Sequence, residues 1–274
     1  MTAEEEARQQ LGVVHVADMK RGGQKHVERV ERGTEAMVMK MVILGTSRPD
    51  ALERAKREVE LLASLSSDHV VRVESRLVTI GAPPEAAAWL EEHLDGDDLT
   101  QHIGSPWSWD DTVQMAHQVA SGLAVAHGKG VVHRDLSTNN VRCLAGGDYK
   151  VMDFGFARFT LRSALTMAGQ PGTPGLHSPE HLQGYSGSPT PASDVFGVGI
   201  LMYAALSGEV PIPYRGDEAD YIRRLSKVEY VGLEVHRPDL SPEQLALVAR
   251  CLHRQPARRY HNGTRLVQGL ETLS

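Results

Sequence analysis

Two stretches organise this chain: Val131-Val132-His133-Arg134-Asp135-Leu136-Ser137-Thr138-Asn139-Asn140 and Tyr149-Lys150-Val151-Met152-Asp153-Phe154-Gly155. Each starts as a short strand-like apolar run and ends in a polar cluster, the pattern of a strand delivering reactive side chains into a loop. Working outward, Ser108 with Asp111 opens a helix whose stripe is Val113, Ala116, Val119, Ala120, Leu123 and Ala126, ended by Gly128 or Gly130. A second helix, about Asp194 to Leu206, is apolar nearly all round, which predicts burial, and stops at Gly208. A third begins at Ser241-Pro242-Glu243-Gln244, a cap followed by Pro at the first helical position. Upstream, Val13–Met19, Val27–Glu31 and Ala36–Leu44 are short apolar or alternating runs between Gly-containing turns, and they predict an antiparallel sheet. Pro49–Leu65, with Ala55, Val59 and Leu62 at helical spacing, predicts the one helix of this first part.

The chain has 274 residues, 41% hydrophobic and 23% charged, with a formal charge of -6. This suits a folded enzyme of one functional unit and argues against a general nucleic-acid binder. The basic run Arg250–Arg265 reads as solvated helix surface. Cys143 and Cys251, the only cysteines, are too few for a disulfide framework or a structural zinc site, so a reducing cytoplasm is expected. Met1–Gln10 is acidic where an export signal is basic, and Val195–Leu206 is too short to cross a bilayer. The thirteen histidines show no ligand-like spacing.

The ordered set H-R-D-L-x-x-x-N (His133 to Asn140), D-F-G (Asp153 to Gly155), Gly172-Thr173-Pro174-Gly175 and Ser178-Pro179-Glu180 resembles the protein kinase family, in family order and spacing. Asp194 and Arg259 match further family positions. The resemblance covers nearly the whole chain. It implies an α+β, bilobal fold over residues 1–274, with a small β-rich lobe at about 11–92, a larger helical lobe at about 93–274, and ATP between them. It also implies roles. Asp135 is the base or orienter of the acceptor hydroxyl, and Asn140 and Asp153 supply hard oxygen ligands for Mg²⁺, with Mn²⁺ as an alternative. Lys40 grips the α- and β-phosphates. Glu58 shares the inward stripe of its helix, so it needs a cationic mate, and Lys40 fits.

By the same resemblance, Gly22, Gly23, Val27, Val38, Glu92, Leu94 and Arg142 join Lys40 around the nucleotide, with Glu91 near the position that limits the depth of the adenine pocket. Phe156–Gly172 corresponds to an activation loop whose Thr160, Ser163 and Thr166 are candidate phosphorylation sites, with Arg134 as a docking cation. Thr173 matches the Thr of the substrate-binding loop in Ser/Thr kinases. His133 is expected to pack near Phe154 rather than act as a base.

Three departures stand out. The Gly-rich segment Lys20–Val27 keeps only Gly22 of the family glycines, adding Gly23; Ser137 replaces the usual Lys; and Arg142 replaces an apolar residue under the base, with its guanidinium expected to reach water. The reading is a cytoplasmic Ser/Thr protein kinase that signals through phosphorylation of unidentified proteins, including itself, with no nucleic-acid or membrane partner. A dimer or regulatory partner is compatible with it. Two alternatives stay open: a pseudokinase that binds nucleotide or partners, and a small-molecule phosphotransferase of the aminoglycoside-kinase type.

Overall fold

A computed structural model describes residues 1–19, 25–44, 51–154, 177–182 and 189–273. Gly22, Gly23, Pro49, Gly155, Thr160, Ser163, Thr166 and Thr173 lie outside the described residues. The chain divides into two compact units. The first is Met1–Ser66 with Val71–Asp95, and the second is Ser67–Val70 with Gly96–Ser274.

The first unit contains α1 (Ala3–Leu11), β1 (Val14–Asp18), β2 (Lys25–Arg32), β3 (Glu35–Ile43), α2 (Ala51–Ser64), β4 (Val78–Ile80) and β5 (Ala86–Glu92). Its strands form an antiparallel sheet in the order β1-β2-β3-β5-β4. Each sheet face has its own cover. Val30, Met37, Met39, Met41, Ile80, Ala86, Ala88 and Leu90 pack with Ala7 and Leu11 of α1. On the other face Val42 and Trp89 pack with Ala55 and Val59 of α2. This double cover explains why β3 buries Met37 through Met41 without alternation.

The sequence predicts one helix here, and α1 is the second. Its apolar content is confined to residues such as Ala7 and Leu11, too sparse for a periodic signal, but its ends are well specified. Thr2 and Glu5 form a reciprocal capping box, and Gly12 closes the helix in the left-handed conformation that glycine adopts at little cost.

The second unit contains β6 (Gly96–Asp98), α3 (Trp109–Gly128), β7 (Val141–Leu144), β8 (Tyr149–Val151), α4 (Pro191–Ser207), α5 (Glu218–Lys227), α6 (Leu233–His236), α7 (Pro242–Cys251) and α8 (Gly263–Glu271). β6, β7 and β8 make a small antiparallel sheet. α4 is buried from Ala192 to Leu206, as its composition requires. A Cβ on Gly199 would come within 2.7 Å of the Cys251 Cβ, so only glycine lets α7 pack this closely. The adjacent Cys251 thiol is pushed up to about 12 by burial, which keeps it protonated and inert. The basic C-terminal run is not uniformly solvated, because Arg259 is 0% exposed. No helix among the described residues is long and apolar enough to cross a membrane.

Candidate active site

In the second unit the first of the opening motifs is anchored by Asp194, near the N-terminus of α4. Its Oδ2 accepts from the His133 amide at 2.7 Å and its Oδ1 from the Arg134 amide at 2.8 Å. His127, near the end of α3, supplies a third donor. Its Nδ1 accepts from the Gly263 amide at 3.0 Å, so the proton sits on Nε2, which donates to Asp194 Oδ2 at 2.9 Å. These bonds hold Arg134 at φ +68°, a conformation costly for a residue with a side chain and sustained only where the surroundings fix it.

His133 is a brace. Its Nε2 donates to the Met152 carbonyl at 2.8 Å, its Nδ1 accepts from the Asp135 amide at 3.3 Å, and its ring meets Phe154 edge-on with centroids 4.7 Å apart. Both ring nitrogens are engaged by backbone, which matches the structural role expected for it.

Asp135 follows, partly exposed. Asn140 Nδ2 donates to the Asp135 carbonyl at 2.8 Å and to its carboxylate Oδ2 at 3.3 Å. The Asn140 carbonyl in turn accepts from the Met152 amide at 2.8 Å, which brings Asn140 beside the residue preceding Asp153. Asp153 has φ +56°. The Asn140 amide nitrogen is committed to Asp135; its Oδ1 and the Asp153 carboxylate are hard oxygen donors of the kind that could hold Mg²⁺. The sequence did not anticipate His177, whose Nε2 lies 4.0 Å from Asp135 Oδ1.

Arg142 corrects an expectation. Its guanidinium does not escape to water: Nη1 donates to the Gly96 carbonyl at 3.2 Å and pairs with Asp98 Oδ1 at 3.1 Å across the β6–β7 register. Its Nε is buried without an acceptor among the described residues. A short-range signal existed, since Asp98 lies just past the Asp95-Gly96 turn, but pairing it with Arg142 needs the sheet register.

Glu180 and Arg259, both family matches in the sequence, form a buried bidentate pair at 2.6 and 2.9 Å. Arg259 also donates to the carbonyls of Ala192, His253 and Arg254, so all five of its N–H groups are used.

In the first unit, the β2–β3 register sets Val27 opposite Lys40, and the β3–β5 register sets Val38 opposite Glu91. Lys40 Nζ pairs with Glu91 Oε2 at 2.8 Å, and Trp89 Nε1 donates to Glu91 Oε1 at 2.9 Å. Glu91 was singled out as a nucleotide-pocket position, not as the lysine's partner. The contact follows from strand pairing, because Lys40 lies opposite Trp89 and Glu91 is two residues further along the same face. Glu58, the mate inferred from periodicity, is 5% exposed on α2, on the stripe where the sequence placed it. Glu92 accepts from the Arg72 amide at 2.8 Å, and Leu94 is buried.

Comparison with known proteins shows the family. The protein kinase domain profile matches residues 21–268, and the chain belongs to the protein kinase family. It is 28% identical over 252 residues to the serine/threonine-protein kinase PknK of Mycobacterium tuberculosis, covering 91% of this chain and 22% of that protein. It is 32% identical over 235 residues to the serine/threonine-protein kinase PkaA of Streptomyces coelicolor, covering 83% of this chain and 41% of that protein. To the serine/threonine-protein kinase pkn3 of Myxococcus xanthus it is 30% identical over 258 residues, covering 86% and 46% respectively. The chain thus spans less than half the length of each of these relatives.

Proposed function

We propose that this chain transfers the γ-phosphate of ATP to Ser or Thr hydroxyls of proteins, and that Thr160, Ser163 and Thr166 include sites of autophosphorylation. The observation that carries the reading is the Asp135–Asn140 pair, in which one side chain holds the carboxylate that must orient the acceptor hydroxyl. The bacterial relatives, all called serine/threonine-protein kinases, support the choice of acceptor.

In this mechanism Asp135 accepts a hydrogen bond from the incoming hydroxyl and takes its proton as the bond to phosphorus forms. Asn140 and Asp153 would hold Mg²⁺, which would supply positive charge to offset that of the phosphates. Lys40 contacts the α- and β-phosphates and exchanges between carboxylate and phosphate partners. Val27 and Val38 contact the adenine, with Glu92 and Leu94 beside it, and Arg142, in place of an apolar residue, weakens the hold on the nucleotide. Gly22 and Gly23 lie over the phosphates. Thr173 helps position the acceptor segment, and Arg134 receives a phosphate added to the segment it docks.

The test is transfer of labelled γ-phosphate from Mg²⁺-ATP to the protein itself and to mixed protein acceptors, comparing wild type with Asp135→Asn. Label on Ser or Thr that falls by about a thousandfold or more in the variant is the expected result. Equal labelling of the two would overturn the role of Asp135. No labelling of protein by folded wild type would overturn the reading as a protein kinase.

A further inference from the structure

We propose that the first unit carries a Zn²⁺ site, with His15 and Asp18 of β1 and Glu28 of β2 as ligands. Nothing in the phosphoryl-transfer reading uses these residues, and the inference does not depend on it.

A strand defect brings the ligands together. In a regular strand His15 and Asp18, three residues apart, would face opposite sides. The register slips between His15 and Ala17, so that His15 lies opposite Val30 and Asp18 opposite Glu28, which makes Val16 the extra residue of a bulge. His15 and Asp18 therefore project to the side occupied by Glu28 and Val30. One potential ligand atom from each of His15, Asp18 and Glu28 lies within 4.8 Å of the others.

The distances suit a small cation. His15 Nδ1 and Glu28 Oε2 are 3.2 Å apart. Zinc bonds to nitrogen and oxygen of about 2.0–2.1 Å at a tetrahedral angle separate two ligands by about 3.3 Å. The ion can replace the hydrogen that links His15 to Glu28 with little movement of either; the proton is carried by solvent from Nδ1 to Nε2, so the ring binds as a neutral imidazole. Asp18 Oδ1 lies 4.0 Å from His15 Nε2, and its side chain, 74% exposed, has room to swing to the Nδ1 side as the third ligand, with water as the fourth.

The surroundings suit the charge and fix the buried ligand. The concavity is lined by Thr2, Glu4, Arg8, His15, Asp18, His26 and Glu28. With neutral imidazoles, its three carboxylates against one guanidinium leave two negative charges, matched by one divalent cation. Glu28 is 2% exposed and is oriented from behind: His26 Nε2 lies 2.6 Å from Oε1, and Arg8 Nη1 donates to both oxygens at 2.9 and 2.7 Å. Such outer contacts are what fixes a metal-bound carboxylate. Arg8 also sets a limit, since its positive charge opposes the ion. Two imidazoles among the nearby donors favour zinc over magnesium or calcium.

The test is calorimetric titration of the metal-stripped full chain with ZnCl₂ in excess Mg²⁺, so that all-oxygen sites are already filled, alongside thermal melting. The expected result is one equivalent bound with a rise in melting temperature, weakened at least about tenfold by His15→Gln and by Asp18→Asn and unchanged by His117→Ala. Arg8→Gln should tighten it. Because His15 and Asp18 are exposed, both variants should melt like wild type without metal; a variant that does not is replaced by His15→Ala or Asp18→Ser. No binding, or binding that neither substitution moves (an adventitious ion on other histidines), would overturn the site.

Discussion

At the scale of single residues, Lys40 is held by a buried carboxylate two positions along the neighbouring strand. Removing one member of a buried ion pair costs about 3–5 kcal/mol. Lys40→Met is therefore expected to lower stability by that order and to abolish phosphoryl transfer. The double variant Lys40→Met/Glu91→Leu should recover much of the stability and none of the transfer, read by denaturant unfolding beside the labelling assay. Arg142 gives a second test. Restoring an apolar residue with Arg142→Leu should tighten ATP binding by about three- to tenfold, and an unchanged ATP affinity would refute its part in the nucleotide pocket. Both contacts show where sequence reading stops. The inward face of Glu58 was legible because helical periodicity is local, and Asp135, Asn140 and Asp153 were legible as a motif. The Lys40–Glu91 and Arg142–Asp98 pairs depend on strand register, which spacing along one strand does not carry. The bulge that gathers His15, Asp18 and Glu28 was hidden for the same reason, so the histidines looked scattered.

At the scale of elements, α4 acts as an anchor for the His133–Asp135 segment. Its apolar surface was readable from composition, and its end from Gly208. What composition did not show is that the Asp194 carboxylate takes three donors, two of them loop amides. Asp194→Ala would leave those donors unmatched while releasing Arg134 from its left-handed conformation. The expected cost is about 3 kcal/mol or more, measured as a shift in the denaturant midpoint, with transfer activity falling further than the loss of folded protein explains. Arg259→Lys should fare little better than a neutral replacement, because three ammonium donors cannot serve the five partners of a planar guanidinium.

At the scale of the whole molecule, the phenols set a limit on the alkaline side. Burial pushes Tyr203 up to about 12, with the Glu209 carboxylate adding to the effect, and burial likewise raises Tyr149, Tyr230 and Tyr260. A raised value means the folded chain keeps a proton that the unfolded chain gives up near the ordinary value of 10. The stabilisation is complete below that pH and declines as pH rises towards 12. Melting temperature should accordingly drop steeply across this window, and less steeply in Tyr203→Phe, which also loses the hydrogen bond to the Val231 carbonyl.

Met37, Met39 and Met41, aligned on one face of β3 beneath α1, have a chemical consequence. All are at most 2% exposed, so dilute peroxide reaches their sulfurs only when the first unit opens. Each sulfoxide formed would add a polar, bulkier group to that packed face and hinder its closing again. Oxidation of this row should then lag behind that of the exposed Met1 and accelerate once begun, so that peptide mass spectrometry of a timed exposure would record how often the small sheet parts from its covering helix.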